Sequence, residues 1–148
     1  MTTDGLCGPT EQLLLRLLSD HDEGLYCSLY TDAQTMAAIS VPLDSAQVRA
    51  SFASALLANR RPVRFPQPED PRPQGPAWSV NDPFGSLPWT TRSNPVQSLR
   101  IVAESRESSQ AVALYGVDRW SDTGSDWELG AMVAPGARRR GVALEGMR

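Results

Sequence analysis

The residues of this sequence best suited to chemistry form a basic run near its C-terminal end. The run follows a predicted strand at 127–133 and a break at Pro135-Gly136, and a helix is predicted to begin near 138–141. The first amides of a helix have no intrahelical acceptor, and the helix dipole favours negative charge there. Arginine adds fork-shaped donors, and glycine lets a phosphate approach the backbone. The predicted anion-binding residues are Arg138, Arg139, Arg140, Gly141, Val142 and Ala143.

Other phosphate and metal chemistries do not fit the sequence. The basic run lacks the Gly-Lys-Ser/Thr end of a Walker A loop, and it contains no Gly-x-Gly-x-x-Gly motif of a nicotinamide dinucleotide fold. One histidine, His21, is too few for a histidine-based metal site, and no Cys-x-x-Cys occurs. We interpret His21 as solvated rather than hydrolytic, and Cys7 and Cys27 as reduced thiols. A solvated basic helix start is the other interpretation of the arginine run.

The N-terminal part of the chain predicts elements on which such a site would rest. A leucine-rich run at 13–18 is too short for its length to separate strand from helix. Ser19 and the acidic residues after it indicate a helix start. Asp44, with Gln47 three residues on, is a capping-box pattern, and an apolar stripe at helical spacing follows it. Residues 10–60 are therefore predicted to form a strand and two helices.

Strand patterns return after residue 97. Apolar segments at 99–104, 111–117 and 127–133 are separated by polar turns, which predicts an antiparallel three-strand meander. Gly130, in the middle of the third strand, suggests a bulge or a close backbone approach. With the helices at the start and the helix start at the end, the pattern predicts an α+β fold.

The stretch between the second helix and the meander has a different composition. Nine of the 12 prolines lie in residues 61–97, together with Trp78 and Trp89. Proline at this density excludes a long helix or a central strand. Three interpretations stay open: an insertion that drapes over the core, a lid over a substrate cleft, and a Pro-rich segment that binds a partner.

Length and charge limit the class of protein. The 148 residues suit one domain, and a net charge of −3 argues against nucleic acid as the main partner. No run of 18 apolar residues predicts a transmembrane helix, and the N-terminus lacks the basic flank and apolar run of a signal peptide. We expect a cytoplasmic protein with no membrane partner.

The basic run resembles a motif of a known family. Arg138-x-x-Gly141-x-Ala143 is similar to the Arg/Gln-x-x-Gly-x-Gly/Ala pyrophosphate motif of the GNAT superfamily of acyl-CoA-dependent N-acyltransferases. Residues 128–135 before it resemble the strand and loop of the branch similar to ribosomal-protein N-acetyltransferases. Near the other end, Tyr30-Thr31-Asp32 and Met36 resemble the helix and turn of that branch.

The resemblance implies a domain over residues 10–148, with 61–97 as an insertion. It implies acetyl-CoA as cosubstrate, with the pyrophosphate held by backbone amides of the basic run. It also implies that the pantetheine arm pairs with the third strand of the meander, at Met132 and Val133. A bulge at Gly130–Ala131 would aim an N–H at the thioester oxygen.

The reaction that the resemblance implies is acetyl transfer to a primary amine, either a protein N-terminus or a small molecule. Such an amine is largely protonated near neutral pH and must be neutral to attack, so a general base is useful. Glu128 is the candidate base, and a surface carboxylate at a strand edge is its alternative interpretation. Glu104 is the second choice.

The family's pattern includes elements beyond the helix that follows the motif. They are a fifth strand, another helix and two more strands, with a tyrosine that protonates the leaving thiolate, and no residue here inherits that role. We therefore expect this chain to correspond to the N-terminal part of an acyltransferase, as a fragment, a decayed copy or a piece that needs a partner, and to bind CoA weakly and turn over poorly. The alternative function is a non-catalytic α+β module that uses the Pro/Trp-rich segment and an exposed sheet edge, with a homodimer as one outcome.

Overall fold

The computed structural model describes residues 8–60, 97–119 and 127–148, which form an α+β fold as predicted. The strands are β1 (Gly8–Pro9), β2 (Leu13–Leu17), β3 (Gln97–Ser105), β4 (Ala111–Arg119) and β5 (Trp127–Val133). The helices are α1 (Glu23–Thr31), α2 (Ala33–Met36), α3 (Ser45–Asn59) and α4 (Val142–Glu145), with 3-10 turns at Asp20–Asp22 and Pro135–Ala137. Of the Pro-rich stretch predicted at 61–97, residue 97 begins β3, and the rest lies outside the described residues, as do Cys7 and the polar turn predicted before 127.

The described strands form one antiparallel sheet in the chain order β1-β2-β3-β4-β5. The leucine-rich run at 13–18, whose length left its structure open, is the strand β2 and pairs with β3. The three-strand meander is confirmed as β3, β4 and β5. Among the described helices, none is long and apolar enough to cross a lipid bilayer.

The pairing of β4 with β5 is regular along its whole length. The bulge predicted at Gly130–Ala131 is therefore wrong, and a register shift lies instead between Ala103 and Glu104 of β3. Gly130 pairs with Gly116, and the guanidinium of Arg100 packs over Gly116, with Nη1 3.4 Å from the place of a Cβ. A glycine here makes room for an arginine and leaves the strand pairing intact.

Helices α1, α2 and α3 cover one face of the sheet. Tyr26 and Leu29 of α1 pack with Phe52 of α3 in a buried cluster that includes Val102 and Met132 of the sheet. The capping box predicted for α3 is confirmed, because the amides of residues 46 and 47 donate to the Asp44 carboxylate and the Asp44 amide donates to the side chain of residue 47. The start of α3 is thus set by its own sequence, whereas its position is set by apolar burial.

The opposite face of the sheet carries α4 and the turn before it. Ala137 and Val142 pack there in a second buried cluster with Leu13, Ile101 and Tyr115. The chain therefore crosses from the edge of the sheet to its second face between β5 and α4. The predicted basic run lies in this crossing.

Two ion pairs hold buried carboxylates of the fold, one between β2 and the first 3-10 turn and one between β3 and β4. Asp22, buried at the end of the first 3-10 turn, receives two hydrogen bonds from Arg16 of β2, at 2.7 and 2.8 Å. Arg100 of β3 donates to both carboxylate oxygens of Asp118 on β4, at 2.8 and 3.1 Å. Because a buried carboxylate needs a partner, each pair satisfies a charge that the packing has taken out of water.

Candidate functional site

The basic run forms an irregular turn between β5 and α4. The first arginine, Arg138, is extended, and the next, Arg139, has a φ of 62°. Gly141, which precedes α4, has a φ of 78°. These left-handed residues precede α4, whose N-cap is Gly141 and whose first residue is Val142, so the helix begins at the C-terminal end of the predicted range 138–141.

The backbone amides of residues 139–143 are the main donors of this turn. None of them donates to an acceptor within the described part of the chain. Gly141 is exposed, and nothing lies within 4 Å of the place where its Cβ would be. The turn therefore offers amide donors and open space at the position where the sequence predicted an anion.

The three arginines of the turn have different surroundings. Arg139 and Arg140 are exposed. The guanidinium of Arg138 is instead engaged: Nε donates to the Val133 carbonyl at 3.1 Å and Nη2 donates to Thr35 Oγ1 at 2.6 Å. Its Nη1 donates to the side chain of Gln34 at 3.3 Å. Positive charge available to a ligand at the turn comes from Arg139 and Arg140.

A cavity of about 260 Å³ lies between β5 and α2, next to this turn. It brings together three of the predicted cofactor-binding residues, Met132, Val133 and Arg138. The opposite wall comes from the helical side of the chain and consists of Gln34, Thr35 and Ile39. Since small-molecule sites have volumes of about 300–1,000 Å³, this cavity has room for a slender part of a ligand.

The edge of β5 determines which main-chain groups face this cavity. The Ala134 amide donates to the Val112 carbonyl of β4, and residues of an antiparallel strand alternate in the direction of their hydrogen bonds. Met132 therefore turns its main chain toward β4, while Ala131 and Val133 turn theirs outward. A ligand that adds along this edge meets Ala131 and Val133 with its backbone-like groups and Met132 through the side chain alone.

The candidate bases lie on the sheet away from the turn. Glu128 is half-buried on β5, directly opposite Asp118 of β4, and is engaged in an interaction of its own. It is four residues from Met132, which corresponds to about 13 Å along a strand. Glu104 accepts a hydrogen bond from Arg16 Nε at 3.2 Å, so that carboxylate already serves an ion pair.

The position of α4 is held by residues that the sequence analysis did not single out. The Tyr115 hydroxyl, buried on β4, donates to the Val142 carbonyl. Glu145 of α4 accepts hydrogen bonds from the Thr10 hydroxyl and from the Gln12 amide. Burial raises the pKa of Tyr115 to about 12, and the nearby Glu145 carboxylate adds to that shift. These contacts join residues far apart in sequence, and no local pattern signals them.

The second, larger cavity has a volume of about 790 Å³ and lies on the α4 side of the sheet. Its wall includes Arg106 and Arg140, together with Glu11 and Glu107. The Arg106 side chain donates to main-chain carbonyls, including that of Thr10. The two arginines and two glutamates of its wall give no net charge. Of the basic run, only Arg140 and Val142 line this cavity.

Short helix α2 is a second feature that the sequence analysis missed. Asp32 caps it, because Asp32 Oδ2 accepts from the Thr35 amide at 2.6 Å. Hydrogen bonds from the Thr35 hydroxyl and amide lower the pKa of Asp32. The spacing Asp32-x-x-Thr35 is an N-cap pattern, so a local signal was present.

No three His, Cys, Asp or Glu side chains within the described ranges form a metal-binding group.

Comparison of the sequence with protein-family models and with curated proteins finds no match.

Proposed function

We propose that this chain binds acetyl-CoA at the turn 138–143 and transfers the acetyl group to a primary amine. The observation that carries the proposal is the run of backbone amides at 139–143, which have no acceptor in the described part of the chain. They lie in a turn with left-handed residues at Arg139 and Gly141. The likeness of this run to the GNAT pyrophosphate motif supports a diphosphate as the anion.

The surroundings of the turn fit a molecule with a diphosphate and a narrow arm. Exposed Arg139 and Arg140 supply positive charge for the diphosphate. The neighbouring cavity of about 260 Å³ runs along the outward main-chain groups of Ala131 and the outward Val133 amide, while the Val133 carbonyl accepts from Arg138. Amide groups of a pantetheine arm suit such a strand edge, because they pair as an added strand does.

Acetyl-CoA supplies an activated acetyl group as a thioester. In the proposed reaction the amine nitrogen forms a bond to the acetyl carbonyl carbon, the carbon–sulfur bond breaks, and the sulfur leaves as thiolate and takes up a proton from solvent water. Glu128 is the proposed acceptor of the amine's proton, because it lies about 13 Å along β5 from Met132, on the side away from the turn, toward which an arm extended along the strand would point. The cytoplasmic location expected from the sequence belongs to this proposal.

Titration calorimetry with CoA tests the binding step. We expect the wild-type chain to bind CoA at millimolar concentration, and Gly141→Glu to abolish binding because its carboxylate would lie where the diphosphate does. Gly141→Asn is the matched control: asparagine tolerates a left-handed backbone and adds no charge. Heat of binding that is absent at millimolar CoA, or unchanged in Gly141→Glu, would contradict the proposal.

A second candidate function is a protein-interaction module. Leu129 of β5 and Leu144 of α4 are each 61% exposed. The strand β5 is an edge strand, with no partner strand on its outer side among the described residues. Exposed apolar groups beside an unpaired edge favour strand addition or dimerisation. Sedimentation of the wild type and of Leu129→Glu distinguishes the candidates. A wild-type chain that self-associates and does not bind CoA, together with a Leu129→Glu variant that does not self-associate, favours the interaction module.

A further inference from the structure

The inference concerns Arg138 and rests on the proposed function. Its guanidinium joins the strand β5 to the helix α2 beside the cavity, through the Val133 carbonyl on one side and the Thr35 hydroxyl on the other. We propose that Arg138 is a positioning residue, which holds α2 at the edge of β5 and so sets the width of the cavity for the pantetheine arm. In this assignment Arg138 does not bind the phosphates.

The hydrogen-bond donors of Arg138 support this role. A guanidinium has five N–H donors, and three of its nitrogens already donate: to Val133, Gln34 and Thr35. The Nε–Nη2 edge, which would bind an anion in a bidentate way, is the edge occupied by the Val133 carbonyl and the Thr35 hydroxyl. A phosphate would have to displace both of these partners.

Helix α2 depends on such an anchor. It has four residues, far fewer than an isolated helix needs to be stable in water. The side chain of its last residue, Met36, is buried, and the Asp32 cap fixes its first turn. Arg138 Nη2 also lies 3.8 Å from Asp32 Oδ2, so the same guanidinium reaches both residues that form the cap. Loss of Arg138 would leave the cavity wall at Gln34 and Thr35 without its tie to β5.

The test compares two ligands and two variants. CoA carries both the diphosphate and the pantetheine arm, whereas ADP carries the diphosphate alone. We expect Thr35→Val to weaken CoA binding about fivefold, the effect of one lost hydrogen bond between the guanidinium and α2. Arg138→Gln removes all three guanidinium hydrogen bonds and should weaken CoA binding by at least as much. Both variants should leave ADP binding within about twofold of the wild type. Because Thr35→Val also removes the hydroxyl that donates to Asp32, the two variants are compared together. Thr35→Ser keeps the hydroxyl and should restore CoA affinity. The double variant should bind CoA no more weakly than Arg138→Gln, because the contact between Arg138 and Thr35 is already lost in Arg138→Gln.

Matched controls come from α1 and α3. Thr31→Val removes a hydroxyl that donates to a carbonyl within α1, and Arg49→Gln removes an exposed arginine of α3. Neither should change the affinity for CoA or ADP. Equal weakening of ADP and CoA by Arg138→Gln would make Arg138 a phosphate ligand and overturn the proposal. Wild-type affinity for CoA in Thr35→Val would also overturn it.

Hydrogen exchange without ligand separates this proposal from the proposed function. The Met36 amide donates to the Asp32 carbonyl, so its exchange reports the opening of α2. We expect faster exchange in Arg138→Gln and in Thr35→Val, and wild-type exchange in Thr31→Val. Unchanged exchange of the Met36 amide in both Arg138→Gln and Thr35→Val refutes the anchoring role, even if CoA binds. A wild-type chain that binds neither CoA nor ADP refutes the proposed function, and the ligand-positioning role of Arg138 falls with it.

Discussion

The hydroxyl of Tyr115 donates to the carbonyl oxygen of Val142 at 2.5 Å, which ties the buried centre of β4 to the first residue of α4. Val142 directly follows Gly141, so this contact fixes the C-terminal side of the amide-rich turn. Arg138 fixes the other side through the Val133 carbonyl. The turn is therefore held at both ends by the sheet, while its amides at 139–143 face no described acceptor.

The first prediction concerns Tyr115→Phe. The Val142 carbonyl also accepts from the Gly146 amide, so the loss of one hydroxyl donor should lower the free energy of unfolding by about 1 kcal/mol. Tyr26→Phe is the matched control, since the Tyr26 hydroxyl bonds to Ser51 away from α4. Urea unfolding should show a similar loss for both variants, and calorimetry should show weaker CoA binding for Tyr115→Phe alone. Equal CoA affinities would mean that the Tyr115 contact does not shape the turn.

The second prediction concerns alkaline pH. Burial raises the pKa of Tyr115 from 10.0 to about 12 in the folded chain. A group whose folded pKa is raised contributes stability that is complete below its unfolded pKa and is lost as pH rises through its folded pKa. The free energy of unfolding should therefore decline between pH 10 and pH 12, and decline less in Tyr115→Phe. Urea titrations at pH 9, 10, 11 and 12 measure this difference, and identical slopes would contradict the assignment.

The third prediction concerns the close contact between α4 and β4. A Cβ at Gly146 would overlap the ring and hydroxyl of Tyr115, which are buried and cannot move away freely. Gly146→Ala should cost about 1–3 kcal/mol of stability, as overpacking in a core does. At Gly24 of α1 a Cβ meets open space, so Gly24→Ala should stabilise by about 0.5–1 kcal/mol. Thermal unfolding compares the two, and a neutral Gly146→Ala would show that α4 is not packed on Tyr115.

The fourth prediction concerns the ion pair beneath α1. Burial alone would raise the pKa of Asp22, but hydrogen bonds from Arg16 and Ser19 outweigh it and hold the pKa below its ordinary value of 3.8. A depressed pKa contributes stability above the unfolded value and loses it as pH falls through the folded value. Asp22→Asn should cost about 2 kcal/mol at pH 7, as the loss of hydrogen bonds between charged groups does.

Asp20→Asn is the matched control for Asp22→Asn, because Asp20 lies on the same 3-10 turn but is exposed. The wild type should lose stability below about pH 4, and Asp22→Asn should lose less over that range. Equal effects of Asp20→Asn and Asp22→Asn on urea unfolding would contradict the role of the buried pair.

Local patterns predicted most of the fold. The Asp44 capping box and the alternation in 99–104 depend on neighbours in sequence, so they identified α3 and β3. The leucine-rich run at 13–18 became a strand only through pairing with β3, a contact made across more than 80 residues that its own length does not encode. The bulge predicted at Gly130 is absent, because Gly130 pairs in regular register with Gly116, and a glycine within a strand does not by itself distinguish the two cases.

The candidate site was predicted in part. The position of the turn between β5 and α4 followed from Gly141 and the arginines. Three of the residues predicted to bind the cofactor, Met132, Val133 and Arg138, line the cavity beside it. The engagement of Arg138 by Thr35 was not foreseen, because it joins residues 103 apart in sequence. A run of arginines gives charge, and only tertiary contacts decide which of the side chains remains available to a ligand.

Amide chemical shifts during a titration with ADP test the central claim most directly, since they report on each backbone N–H separately. The account predicts that the largest shifts appear at the amides of residues 139–143, and that they saturate with a single binding constant. Gly141→Glu should remove them and leave the amides of α3 unchanged. Shifts that are absent at millimolar ADP, or that are largest elsewhere in the chain, would contradict a diphosphate site at this turn.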